Sequence, residues 1–251
     1  MAEVYEVEQF CSKLMNVAAF DDYCPNGLQV DAGSGEVRRL VTGVTACQEL
    51  IDRAVAWDAD LLLVHHGFFW RGESLPLTGY KGRRVRTLMQ RGLSLMAYHL
   101  PLDAHPELGN NRQLALLLGL NDANAIAETG GLLWSGALSA PLPPQQLRHR
   151  IADLLGREPL HIAVDEAPVE RLCWCTGAAQ NYIETAAQQG VDAYISGEIS
   201  EQTVHLAREL GIHYFAAGHH ATERYGIRAL GEHLADRFGL EHRFIEVENP
   251  V

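Results

Sequence analysis

The sequence predicts an α/β fold of two interlinked lobes related by a pseudo-repeat, with mixed or parallel sheets flanked by helices. Three observations carry that expectation. Apolar runs of strand length alternate with segments of helical period. The strand–turn–helix–strand order is that of a βαβ unit, which implies parallel pairing through a right-handed crossover. The order also occurs twice: Ile51, Ala54 and Asp60 are matched by Ile183, Ala186 and Asp192, each 132 residues later.

Taken in chain order, residues 4–18 have helical spacing, with Val7, Phe10, Cys11, Leu14 and Val17 on one side. A turn follows at Pro25-Asn26-Gly27. Arg39-Leu40-Val41 is a strand, Thr42-Gly43 a turn, and a helix runs from about Ala46 to Ala56. The next strand, Leu61 to Val64, delivers His65-His66-Gly67. After a helix that ends at Gly92, the apolar run from Leu93 to Tyr98 leads into His99-Leu100-Pro101-Leu102-Asp103. The second half repeats this order. Arg171 to Cys175 is the strand, Thr176-Gly177 the turn, Asn181 to Gln189 the helix, and Ala193 to Ile195 the strand that ends at Ser196-Gly197-Glu198. A helix from Val204 to Gly211 then precedes the run Tyr214 to Gly218, which delivers His219-His220-Ala221-Thr222-Glu223. In this register His66 falls opposite Glu198. His99-x-x-x-Asp103 answers His219-x-x-x-Glu223, one residue out of step. Either duplication or the commonness of βαβ units accounts for the likeness. The expected lobes are residues 1–128 and 129–251, with the boundary near 129–144. There Pro141, Pro143 and Pro144 precede a helix from Gln145 to Leu155.

A chain of 251 residues buries enough surface to fold without disulfides. Hydrophobic content of 47% and charged content of 21% are ordinary for a soluble globular protein. Five cysteines without zinc-type spacing suit a reducing compartment, and Cys173 and Cys175 read as core side chains of a strand. The net charge of −12 disfavours a generic nucleic-acid-coating protein, whose affinity comes from basic residues. Lys81, Arg83, Arg84 and Arg86 form a local basic cluster that reads as a solvated helix face. No apolar run has the length of a membrane span. The stretch holding Glu3, Glu6 and Glu8 lacks the positive region of a signal peptide, so a cytoplasmic location is expected.

The chemistry concentrates just past the strand ends, where open α/β sheets keep their sites. Imidazole and carboxylate are the donors that hold zinc, iron and manganese. His219 and Glu223, four apart, share a face if a helix begins there. Adjacent side chains of an extended strand face opposite ways. His65 and His66 therefore either serve two ions or diverge at Gly67. His99 and His105 read as residues that orient a ligand or substrate, and His220 as pointing away from the ions. Glu198 is either a general base or an exposed turn residue. His149, His161, His205, His213, His233 and His242 read as surface or helix-face residues. The Thr42-Gly43 and Thr176-Gly177 turns either present backbone N–H groups to an anion at a helix start or are simply tight strand-to-helix turns. There is no nucleophile elbow, phosphate-loop lysine motif or dinucleotide-binding glycine pattern.

At His65-His66-Gly67, His99-Leu100-Pro101-Leu102-Asp103-Ala104-His105-Pro106 and Gly218 to Glu223, the chain resembles the Nif-three-like family, also called GTP cyclohydrolase 1 type 2 homologues. Pro25-Asn26-Gly27-Leu28-Gln29-Val30, Gly109-Asn110-Asn111 and Ser196-Gly197-Glu198 extend the likeness over nearly the whole chain, in the short form of the family. The resemblance implies a dinuclear metal centre between the two lobes. It also implies a toroidal homohexamer built as a trimer of dimers. Carried over, the ligands are His65, His66, Asp103, His219 and Glu223, holding two divalent ions (zinc, iron or manganese). His65 and Asp103 would serve one ion, His66 and His219 the other, and Glu223 would bridge them. The expected activity is metal-dependent hydrolysis of a nucleotide or another phosphorylated or nucleobase compound. Glu198, His99 and His220 are the residues expected to move protons. A metal-binding or metal-delivering protein, or a ring that binds nucleic acid without catalysis, is the reading of a different class.

Overall fold

Both βαβ series form, each within its own sheet. The computed structural model describes residues 2–33 and 35–251. Packing divides the chain into two units, Met1–Leu102 with Ile227–Glu248, and Asp103–Gly226 with Asn249–Val251. The boundary expected near residues 129–144 falls inside the second unit. There Trp134–Leu142 is a strand paired antiparallel with Val169–Cys175. Pro144 opens the helix Pro144–Leu155, a position where a missing N–H leaves no intrahelical bond unmade. The prolines mark a helix start rather than a linker.

The first unit holds a five-stranded sheet in the order Glu241–Phe244, Arg39–Thr45, Leu61–His66, Ser94–Ala97 and Gly27–Val30. The first four strands are mutually parallel and the last is antiparallel. The strand Gly27–Val30 directly follows the turn predicted at Pro25-Asn26-Gly27, and was not itself expected. Leu61, Leu62, Leu63 and Val64 are all fully buried, as a strand covered on both faces requires. The helices Gln48–Ala56 and Gly79–Arg91 make the crossovers. Leu50, Ile51, Ala54 and Leu88 from those helices pack with Val41, Leu62, Val64 and Leu95. Each of these leucine, isoleucine and valine side chains contributes roughly 1.5–3 kcal/mol by leaving water.

The second unit holds a six-stranded sheet in the order Asn121–Ala125, Trp134–Leu142, Val169–Cys175, Ala193–Ser196, His213–Ala216 and Leu160–Ile162. The three central strands, from Val169–Cys175 to His213–Ala216, run parallel. Cys173 and Cys175 are core side chains beside Tyr194 and Tyr214. His213 lies on a central strand, 2% exposed, with its ring against His161 and Phe215. That corrects its reading as a surface residue. The helix expected from 181 to 189 forms as a tight turn, Gln180–Tyr182, followed by Ile183–Gln188.

The repeat is visible at one matched pair of aspartates. Asp60 accepts the backbone N–H groups of Arg38 and Arg39 at 2.8 and 2.9 Å. Asp192 accepts those of Glu170 and Arg171 at the same two distances. Each aspartate thus ties the start of one parallel strand to the start of its neighbour. Among the described residues no helix is long and apolar enough to cross a membrane.

Candidate metal centre

In the first unit three imidazoles gather at the ends of adjacent strands. His65 and His66 finish the strand Leu61–His66, and His99 stands just beyond Ser94–Ala97. Ring centroids lie 4.5 Å apart for His65 and His66, 5.2 Å for His65 and His99, and 5.7 Å for His66 and His99. One ring nitrogen from each lies within 4.8 Å of the others. The adjacent pair therefore converges instead of diverging at Gly67. Outer partners hold the rings there. His65 Nδ1 donates to the Tyr98 carbonyl at 2.9 Å, and His66 Nδ1 lies 3.1 Å from the Thr45 hydroxyl on the neighbouring strand.

His99 is held by Asp22, which no sequence pattern marks, and by Asn26, which the sequence marks only as part of a turn and of the family motif. Its Nδ1 donates to Asp22 Oδ1 at 2.7 Å, and its backbone N–H donates to Asn26 Oδ1 at 2.8 Å. The Asp22 carboxylate also accepts from Asn26 Nδ2, the Leu100 N–H and the Tyr23 N–H. Burial alone would raise the Asp22 carboxyl, but the bonds from His99 and Asn26 and the nearby imidazole outweigh it and hold the group at about 2. Gln29 accepts the Phe68 N–H at 2.7 Å, so the Pro25-to-Val30 segment grips both histidine-bearing loops. The one available signal was the match of that segment to the family pattern. Cys24 lies within reach of Asp22 and His99, yet burial first, and then the Asp22 charge, push its thiol up to about 12. It stays a neutral thiol at pH 7.

In the second unit the donors are carboxylates around one imidazole. His219 starts the short helix His219–Thr222, and Glu223 ends it. The four-residue spacing brings His219 Nε2 to 3.1 Å from Glu223 Oε2. On the other side of the ring, His219 Nδ1 meets Glu198 Oε1 at 2.7 Å. Burial would lower the pKa of His219, but Glu223 and then Glu198 raise it to about 9. Glu198 is thus neither a bare turn residue nor remote from the cluster: it orients His219, while its side chain keeps 34% exposure. Asp103 and Glu223 are both buried, and they present carboxylate oxygens within 4.8 Å of one another. Asn110 Nδ2 and the Thr176 hydroxyl donate to Asp103 Oδ1 at 2.8 and 3.3 Å. Asn111, fully buried, bonds the Asp103 carbonyl and accepts the Thr176 N–H at 3.0 Å.

Two glycines let this cluster close. A Cβ on Gly177 would sit 2.2 Å from Glu223 Oε1, and one on Gly197 would sit 2.7 Å from His219 Cα. Thr176-Gly177 and Ser196-Gly197 are therefore close-approach positions at the strand ends. The remaining histidines belong to none of the ligand groupings among the described residues. His220 is buried, and its backbone N–H donates to Val251 O. His105 Nδ1 accepts the Glu107 and Leu108 N–H groups. Neither joins a grouping of ligand atoms.

These donors fit a divalent cation. Two buried carboxylates this close repel each other unless a proton or a cation lies between them. Imidazoles whose Nδ1 is held by a carbonyl or carboxylate present Nε2 outward, the usual arrangement of a metal-binding histidine.

Comparison with known proteins agrees with the motifs. Residues 2–250 match the model of the family described as Duf34/NIF3 (NGG1p interacting factor 3). A "GTP cyclohydrolase 1 type 2 homolog" of Allochromatium vinosum is 53% identical over 251 residues, spanning 100% of this chain and 98% of the relative. Among solved structures, one described as protein ybgI, of unknown function, superposes with a TM-score of 0.95 at 49% identity over 100% of both chains. TTHA1606 from Thermus thermophilus does so with a TM-score of 0.90 at 32% identity, again over 100% of both.

Proposed function

Starting from the chain's membership of the DUF34/NIF3 family, we propose that it is a metal-dependent hydrolase acting on a nucleotide or another phosphorylated or nucleobase compound. The observation that carries this reading is the pair of buried carboxylates, Asp103 and Glu223, beside an imidazole bracketed by Glu198 and Glu223. The ligands of two divalent ions (zinc, iron or manganese) are His65, His66, Asp103, His219 and Glu223. Such a pair of ions supplies Lewis acidity and a water nucleophile active at neutral pH. The name carried by the relatives supports a nucleotide substrate. Within the site, Asp103 is oriented by Asn110 and Thr176, and His219 by Glu198. Proton transfer falls to Glu198, the carboxylate that meets both His219 and solvent. His220, at 8% exposure and outside the ligand groupings, is less well placed for it. A cytoplasmic homohexamer, a toroidal trimer of dimers, is the working state we assign, and sedimentation of the purified chain tests it.

The decisive experiment is elemental analysis after aerobic and anaerobic purification, followed by a metal-reconstituted screen of nucleotides and phosphoesters. Turnover that requires metal and disappears in His66→Ala supports the hydrolase. Glu223→Ala should lose at least one ion; unchanged metal content and activity in that variant would falsify the ligand assignment. Silence across the whole panel with exchangeable bound metal would point to metal delivery instead.

A further inference from the structure

Two aromatic side chains stand beside the histidines of the first unit, and neither can ligate a metal. The Trp70 ring centroid lies 4.9 Å from that of His99 and 5.9 Å from that of His66. Tyr23 meets His99 from a different segment, at 6.5 Å. The interplanar angles are 83°, 54° and 63°, so none of the three contacts is a parallel stack. Aromatic rings that served only the core would lie under other side chains. Trp70 is instead half-buried, and Tyr23 is 59% exposed. Two π surfaces, each partly open to solvent, thus adjoin the imidazoles at the strand ends.

The chain fixes both rings with more than packing. Phe69 has a φ of +66°, a left-handed conformation that a bulky residue enters only against steric resistance. Past that turn the indole folds back towards the strand end, where its Nε1 donates to Gly67 O at 3.2 Å. The Trp70 N–H donates to Glu73 Oε2 at 3.3 Å, the Glu73 N–H donates back to Trp70 O at 3.0 Å, and Lys81 holds Glu73 at 2.9 Å. Arg71 joins the two segments. Its N–H donates to Tyr23 O at 2.7 Å, and its guanidinium, 6.0 Å from the Tyr23 ring, donates to Asp21 and to the Asp22 carbonyl. Rings held in place before a ligand arrives lose little freedom when it binds, and preorganised sites gain affinity that way.

Fixed, partly exposed aromatic faces beside polar donors suit a planar heteroaromatic ligand. Every nucleobase has a π face, so tryptophan and tyrosine stack on bases of any sequence. Ring centroids in such pairs stand about 4.5–7 Å apart, so a base stacked on either ring lies close to His66 and His99. A simple aliphatic phosphoester offers no such face. We infer that Trp70 and Tyr23 form a base-binding subsite, and that the substrate carries a nucleobase-type ring. This subsite rests on the reading of the chain as a hydrolase of nucleotides or related compounds, and it narrows the substrate class.

The test uses the full-length, metal-reconstituted chain with the four ribonucleoside monophosphates and ribose 5-phosphate, which share a sugar phosphate and differ in the base. At least one nucleotide should bind about 10-fold or more tightly than ribose 5-phosphate, the gain expected from stacking. It should also quench indole fluorescence. Of the four tryptophans Trp134 and Trp174 are buried, and the part of the quench that Trp70→Leu removes belongs to Trp70. Trp70→Leu should lower the nucleotide's affinity roughly 5–150-fold, the effect of one lost base stack, and leave ribose 5-phosphate binding unchanged. Trp70→Phe should recover part of that loss. Tyr23→Ala, at an exposed position, probes the second ring without threatening the fold, and it too should reduce the preference for the base. A ring that merely shielded the metal would change the affinity for every probe alike. Equal binding of nucleotides and ribose 5-phosphate, or a preference for the base that survives both Trp70→Leu and Tyr23→Ala, overturns the subsite. Base-selective binding without turnover leaves the subsite standing and removes the hydrolase. Metal-dependent turnover of a base-free phosphoester with no preference for the base does the reverse.

Discussion

Gly197→Ala isolates the close approach on which the second cluster depends. The added Cβ would stand 2.6 Å from Gly177 O, 2.7 Å from His219 Cα and 3.0 Å from His219 N, all backbone atoms that no rotamer change removes. Ordinary contact begins near 3.4 Å, so the Gly177 carbonyl must retreat by about 0.8 Å. That carbonyl accepts the N–H groups of Gly197 and Glu198 at 2.9 and 3.2 Å and the Ser196 hydroxyl at 3.2 Å. Overpacking of this kind costs about 1–3 kcal/mol, and each weakened hydrogen bond adds about 1 kcal/mol. We expect a loss of about 3 kcal/mol, which at about 2–4 °C per kcal/mol lowers the melting temperature by about 6–12 °C. Because His219 Cα is the second obstacle, metal affinity should fall as well. Gly211→Ala is the control: its Cβ meets nothing within 4 Å, and only its φ of +68° is unfavourable. That costs about 1 kcal/mol and leaves the ligands in place. Melting followed by circular dichroism, with Zn²⁺ affinity by competition, separates the two. If Gly197→Ala melts with Gly211→Ala and binds Zn²⁺ like wild type, the close-approach argument fails.

Three further outcomes follow from other parts of the fold. Asp60→Ala and Asp192→Ala each remove two charge-assisted bonds to backbone N–H groups. Each should cost about 1–3 kcal/mol in urea unfolding, and a large effect in one with none in the other would contradict their equivalence. Asn111→Ala strips the side-chain partner from the Thr176 N–H, the Asp103 carbonyl and the Leu132 carbonyl in a fully buried place. A loss of about 2–4 kcal/mol is expected, and a stability within 0.5 kcal/mol (about the effect of a neutral surface change) would refute it. His161 has its pKa lowered from 6.5 to about 4 by burial, then by His213 and Arg148. Between those values the unfolded chain takes a proton that the folded chain refuses. Stability is therefore full above pH 6.5 and falls as the pH drops towards 4. His161→Phe keeps the stack on Phe215 (4.2 Å, 11°). It should flatten that slope by about 0.7 kcal/mol per pH unit, half the full linkage value because the ring is only half-buried. An unchanged slope would exclude His161 as its source.

The histidine- and acid-bearing ends of the strands were legible because their signals are local. An apolar run with histidine or acid directly after it says both that a strand is buried and where its polar end emerges, as at Leu61–His66 and Tyr214–Glu223. Periodicity also placed several helices, though neither Asn110–Leu118 nor Arg224–Phe238, and the matched aspartates and strand orders showed the repeat. The contacts of Asp22 and Asn26 with His99 were not legible, although Asn26 stood in a marked turn. The two side chains lie 77 and 73 residues from His99, and they reach it only because Gly27–Val30 pairs antiparallel with Ser94–Ala97. The four-residue strand was hidden behind a turn signal. The proline-rich stretch misled for a related reason: proline reports local φ and a missing N–H, and it serves a helix start as readily as a linker.

By itself the sequence determined the α/β class, the doubled βαβ order, the family, and which side chains end up past the strand ends, since burial and backbone geometry act over a few neighbouring residues. The tertiary structure alone decided which partner holds each imidazole nitrogen, that His65 and His66 converge with His99, and that the chain divides at Leu102 and Gly226 rather than near its prolines. Those outcomes depend on which strands lie side by side, and strand order is set by the packing of the whole sheet.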